Sequence, residues 1–173
     1  MRRLGMVVAL CTLLGMVGGV VTGTPALAGR GPKWQFAPAA PFTLPASFCG
    51  FKIRVSFPVN KEYSKILQAR NGSMTTLITG ASTVSNTNLR TGKTITVNLS
   101  GPEKVTAFAD GSVILRAKGR SAYALSPADA RRFGMPPLGV TAGVQTVSFA
   151  PDGSITSFTL RGHVLVDVCA ALS

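Results

Sequence analysis

The chain has 173 residues, eighteen Lys and Arg against six Asp and Glu, a net charge of +12, 46% hydrophobic residues, three Cys and one His. Those figures exclude a disordered polyanion, a collagen, a cysteine-rich knot and a polytopic membrane protein. With one His and six carboxylates there is little from which to build a triad, a carboxylate pair or a metal cage, so the expectation is a protein that is not an enzyme and needs no cofactor and no metal.

The chain opens on an export address. Arg2 and Arg3 form a positive n-region, Gly5 to Val21 is nearly all apolar, and Thr22 to Pro25 breaks the run. Ala26-Leu27-Ala28 then has the small-x-small form of a signal-peptidase site. Residues 1–28 are read as a signal peptide, with an uncleaved anchor as the competing reading. The mature protein is expected to be secreted, with no stable membrane span after processing. Residues 29–47 follow as a tail in which Pro32, Pro38, Pro41 and Pro45 favour extended chain and forbid a helix. Residues 48–173 are read as a single β domain.

Within that domain, turn signals recur. Asn71-Gly72, Thr91-Gly92, Asp110-Gly111 and Asp152-Gly153 are each flanked by strand-like runs, because Gly and Asn or Asp accept the positive φ of tight hairpins. Further connections are expected at Gly80 and at Gly101-Pro102. Phe51, Ile53, Val55 and Phe57 alternate with Lys52, Arg54 and Ser56; Ile95, Val97 and Leu99 alternate with Thr94, Thr96 and Asn98. Phe158, Leu160, Val164 and Val166 likewise share one parity, against Thr159, Arg161, His163 and Leu165. Period two with one apolar face marks a half-buried antiparallel sheet. Ser82 to Asn88 is weaker, a polar run whose one large apolar residue is Val84, and it hints at a polar interior. A short helix is expected over 127–133, with Ser126 as N-cap, Pro127 at N1, Asp129 at N3 and Gly134 as the stop. It lies inside one long connection, 126–142.

Two cysteines remain after export, Cys49 at the start of the first strand and Cys169 at the end of the last, and an exported chain is expected to pair them. Neighbouring first and last strands would close an up-and-down meander of eight to ten strands into a calycin-like barrel, with a β-sandwich as the alternative. Cys49 has the parity of the apolar face and Cys169 that of Arg161 and His163, so a bulge near Gly162 or a frayed strand end has to reconcile them.

The stretches Phe48-Cys49-Gly50-Phe51, Asn60-Lys61-Glu62-Tyr63, Thr87 to Lys93, Leu99-Ser100-Gly101-Pro102, Asp152 to Phe158, and Arg161-Gly162-His163 through Leu172 resemble a family of small secreted proteins from high-GC Gram-positive bacteria. The resemblance covers roughly 48 to 173 and rests on turns and strand ends. It implies export and a cysteine at each end of the domain, and carries over no catalytic residue.

Candidate chemistry is sparse. His163 and Asp167 are four residues apart on a strand, about 13 Å, too far for a hydrogen-bonded pair. Asp110 and Asp152 read as hairpin residues rather than calcium ligands, since no D-x-D-x-D-G loop surrounds them. The glycosylation-like triplets at Asn71 and Asn98 read as chance, Asn71 being a turn residue. The leading expectation is a secreted β-barrel that holds a small apolar ligand; the alternatives are a basic envelope-associated module that binds anionic polymers and a purely structural or inhibitory secreted protein. A small apolar ligand would enter where the 126–142 lid, through Phe133, Met135 and Leu138, meets Phe42 and Leu44 of the tail. Anionic envelope polymers such as teichoic acids, anionic lipid or extracellular DNA would meet the outer wall, where Lys52, Arg54, Lys61, Lys65, Arg70, Arg116, Lys118, Arg120, Arg131 and Arg132 cluster. No sequence-specific nucleic acid binding is expected, because aromatic residues are few and Trp34 lies in the tail.

Overall fold

The computed structural model describes residues 31–173; the expected signal peptide and its cleavage site lie outside them. The elements run β1 (Gln35–Phe36), β2 (Phe42–Leu44), β3 (Ile53–Gln68), β4 (Met74–Asn88), β5 (Thr94–Ser100), β6 (Glu103–Ala107), β7 (Val113–Ala124), α1 (Pro127–Phe133), β8 (Leu138–Phe149), β9 (Ile155–Asp167) and α2 (Val168–Leu172). All nine strands join one antiparallel sheet in the order β1-β3-β4-β6-β7-β8-β9, with β2 also on β3 and β5 also on β4. From β2 through β5 and from β6 through β9 neighbours in sequence are neighbours in the sheet, as in a meander, but β1 does not pair with β2, nor β5 with β6. Among the described residues no pairing returns from β9 to β3, so hydrogen bonding does not close the sheet.

Three of the hairpins end in the same turn. Ala69 N–H donates to Ser73 and Gly72 N–H to Ala69, and the pattern repeats over Phe108–Ser112 and Ala150–Ser154. In each, the Asx Oδ1 accepts from the Ser two residues on, through both N–H and Oγ. The glycine takes positive φ, 81°, 87° and 81°, which makes a type I turn with a glycine bulge. The three turns lie side by side at one end of the sheet: a Cβ on Gly72 would touch Ala109, and one on Gly111 would touch Pro151.

The expected connections at Gly80 and Gly101-Pro102 are not reversals. Gly80 lies inside β4, and β5 and β6 continue along β4 in one register on either side of Gly101-Pro102. β7, Val113–Ala124, is a single strand with Gly119 in its middle. Following the registers, Gly80, Gly101, Gly119, Gly143 and Gly162 form one row straight across the sheet. All have positive φ, from 96° to 156°, and at each a Cβ would fall on backbone of the adjacent strand. Only glycine permits this approach. Glycine was read correctly as a site of positive φ, but here it kinks strands instead of reversing them.

The row is a fold line. Tyr123 pairs with Gly139 and Phe158 with Val147. Eight residues of extended strand span about 27 Å, yet the two rings are 5.4 Å apart. β8 therefore doubles back between those positions, where Gly143 lies. Two cores result. One gathers Leu44, Phe51, Ile53, Val55, Val84, Ala124, Leu138, Val168 and Leu172. The other gathers Val105, Leu115, Ala117, Tyr123, Leu125, Ala130, Val147 and Ile155. Tyr123 and Ala124 are neighbours on one strand and point to opposite faces, and with Leu138 to Thr141 they make the end of β7 and the start of β8 buried on both sides.

The termini complete the first core. The tail is extended as expected, and it also pairs: β1 and β2 lie on the outer edge of β3. Between them the Asn60 side chain accepts from Ala39 N–H and donates to Ala39 C=O. The last residues form α2, which the sequence reading had taken as strand. Asp167 caps it by accepting from Ala170 N–H. Buried Asn88 donates to Leu172 C=O and accepts from Arg90 N–H. Cys49 and Cys169 form the expected disulfide, Cα atoms 5.2 Å apart. The parity conflict is resolved by a register shift at Leu165 and by placing Cys169 on a helix. α1 has the expected caps, with Ser126 Oγ accepting from Asp129 N–H and Gly134 left-handed.

Candidate functional site

The sheet separates its charges by face. Paired residues in an antiparallel sheet share a face, so the registers carry an orientation from strand to strand. Ile53, Val55 and Val84 define the inner face, and Ile78, Val105, Leu115, Ala117 and Val147 continue it. Every Lys or Arg on a strand lies on the opposite face: Arg54, Lys61, Lys65, Lys104, Arg116, Lys118, Arg120 and Arg161. The strand carboxylates Glu62, Glu103 and Asp167 lie on the inner one.

A bulge in β3 makes this possible. Its register against β4 shifts between Ser56 and Val59. Before the shift, odd residues face inward; after it, even residues do. Without the extra residue Lys61 and Lys65 would enter the core and Glu62 would face outward. The bulge turns all three over.

The outward cations form rows beside the glycine line. Lys65, Leu77, Lys104, Arg116, Thr146 and Thr159 are aligned across six strands. The row nearer the glycines holds Tyr63, Thr79, Lys118, Val144 and Arg161. Beyond the glycines come Lys61, Ala81, Ser100, Arg120, Ala142 and His163. Lys61, Lys104, Arg116, Lys118, Arg120, Arg161 and His163 are all exposed, and Lys65 is half-buried. With strands spaced about 4.8 Å, a row from β3 to β9 spans about 24 Å. Several cations outside these rows have structural partners: Lys93 Nζ donates to Ser173 C=O, Arg132 donates to Ile155 and Thr156 C=O, and Arg90 lies over the Phe51 ring.

At the β3 edge the ridge meets exposed aromatic rings. Tyr63 is 45% exposed, Phe36 58% and Trp34 47%. Phe36 pairs with Tyr63, their centroids 5.6 Å apart and tilted at 58°. Trp34, one residue before β1 and of the same parity as Phe36, continues the β1–β3 register toward Lys65.

Two inner-face groups are strained electrostatically. Burial raises the Glu62 carboxyl above its ordinary value, and a hydrogen bond with the Ser82 side chain acts against that rise. Burial, with a smaller contribution from the Asp167 charge, raises the Tyr123 phenol, whose hydroxyl is buried without a hydrogen-bond partner. In the turns, bonds from Ser112 and Ser154 lower Asp110 and Asp152. The polar run does contribute interior: Ser82, Ser85, Asn86 and Asn88 are buried beside Val84.

The residues assigned to an apolar entrance are divided. Leu138 and Leu44 belong to the first core, with Phe42 packed on it, whereas Phe133 and Met135 pack on the second. The Phe133 ring lies 6.1 Å from that of Phe158. His163 is exposed on the ridge. Among the described residues no group of three or more His, Cys, Asp or Glu could hold a metal ion, and no helix is long and apolar enough to cross a membrane. Compared with protein-family models, with curated proteins and with solved structures, the chain matches none.

Proposed function

We propose that the protein is an exported, non-enzymatic module that binds linear anionic polymers of the cell envelope along its basic ridge. One observation carries the reading: strand cations face out and strand carboxylates face in. A surface made only for solubility mixes both signs. Segregation instead builds a one-signed field, which draws polyanions and is screened by salt. Export is supported by the signal-peptide pattern of residues 1–28 in the sequence, by the disulfide, and by the resemblance to small secreted proteins. An apolar carrier has less support, because its intended lining is shared between two cores.

Charge reversal at equal net charge tests this. Lys118→Glu with Arg161→Glu changes the ridge; Lys52→Glu with Arg131→Glu makes the same change elsewhere. The ridge pair is expected to weaken binding to long-chain polyphosphate about tenfold or more, and the control pair by less than about threefold. Equal losses would reduce the effect to net charge and defeat the reading.

A further inference from the structure

The ridge has two chemically different parts, and resting on the polyanion reading we infer that its ligand is an anionic glycopolymer, one of whose sugar rings docks on Trp34, Phe36 and Tyr63. The rings are at one end of the ridge. Tyr63 lies in the same row as Lys118 and Arg161, and Lys65 is two residues along β3 from it. A bare phosphate chain would give these rings nothing to stack on; an anionic lipid surface, into which exposed Trp and Tyr also settle, would instead show as binding to phosphatidylglycerol vesicles that is lost in Phe36→Ala, Tyr63→Ala, a result that would overturn the inference. Aromatic residues left this exposed beside a charged row provide an apolar face with polar margins, which fits a sugar ring with hydroxyls at its rim.

A single-stranded nucleic acid also combines charge with rings, but it needs a series of stacking platforms, one for each successive base. Beyond the corner these rows hold no further Trp, Tyr or Phe, and Thr79, Thr146, Val144, Thr159, Ala81 and Ser100 separate the Arg side chains and His163, so no continuous series of platforms forms. The tilt of 58° between Phe36 and Tyr63 makes a corner for one ring instead of a ladder for several. A glycopolymer needs no further stacking: its first ring is held at the corner and its anionic groups lie along the cations.

Three probes of different chemistry on the disulfide-bonded protein test the inference: dextran sulfate, with sugar rings; long-chain polyphosphate, with none; and oligo(dT), with bases. The double variant Phe36→Ala, Tyr63→Ala provides the readout, and because both rings are exposed its melting temperature checks that folding is intact. The protein is expected to bind dextran sulfate about tenfold more tightly than polyphosphate at equal charge, and the variant is expected to lose that margin while binding polyphosphate as before. Equal affinity for the two in the unaltered protein would overturn the sugar assignment and leave the polyanion reading standing. Tightest binding to oligo(dT), lost in the variant, would assign the corner to a base and overturn the inference. Failure to bind any of the three at low salt would overturn the polyanion reading and this inference with it.

Discussion

Glu62 stands where the glycine line would continue onto β3, opposite Gly80. Its folded carboxyl is raised above the ordinary value of 4.5 by burial. The native state therefore holds its proton to higher pH than the unfolded chain does. Stability is full below the unfolded value and falls as pH rises through the raised one. Glu62→Gln removes the charge and keeps a hydrogen-bonding group for Ser82. Urea unfolding is expected to find the variant more stable at pH 7 and equal to the parent at pH 4; a difference unchanged with pH would show that burial of the charge is not the cause. The fold line makes a second prediction at this scale. Gly153→Ala meets open space at φ 81° and is expected to cost about 1–2 kcal/mol. Gly143→Ala drives a Cβ onto the Arg161 carbonyl, and with its φ of 133° is expected to cost about 3 kcal/mol or more. Thermal unfolding of the two variants measures that contrast.

Hairpin turns were legible in the sequence because Asx-Gly-Ser chemistry is local: each side chain bonds two residues ahead. The caps of α1 were legible for the same reason. Gly80 and Gly101 were misread because a positive-φ glycine looks the same in sequence whether it reverses a chain or kinks it. The choice is made by a glycine on the neighbouring strand. A signal was present, since Gly101, Asp110 and Gly119 repeat the spacing of Gly143, Asp152 and Gly162, with one bulged residue added, and Glu62, Asn71 and Gly80 repeat it a third time. The bulge in β3 was marked only by Pro58, which lies inside the shift between Ser56 and Val59, so alternation alone placed Arg54 on the outer wall but neither Lys61 and Lys65 there nor Glu62 inside. α2 is too short to show a helical period. Two variants test how the ends are held. Asn88→Ala leaves Leu172 C=O and Arg90 N–H without their side-chain partner and is expected to cost about 1–3 kcal/mol. Reducing the disulfide, which spans 120 residues, is expected to cost about 2–5 kcal/mol, and alkylation without reduction should find neither Cys49 nor Cys169 free.

For the whole molecule, folding one sheet along a glycine line builds two cores from a single meander. The end of β7 and the start of β8 are buried on both faces, while further along β7 presents Arg116, Lys118 and Arg120 outward. The same fold line therefore sets the shape and the edge along which charge is displayed. The tail, Asn60 and β1 cover the outer side of β3 and bring the exposed rings to the end of that edge. The central claim is that several of these cations engage one polyanion together. Its most direct test is the salt dependence of dextran sulfate affinity from about 50 to about 200 mM, where each neutralised anion contributes about 0.7 to the slope of log affinity against log salt. Engagement of about six ridge cations predicts a slope near −4. A slope shallower than about −1 would mean that the cations do not act as one site, and would contradict the account.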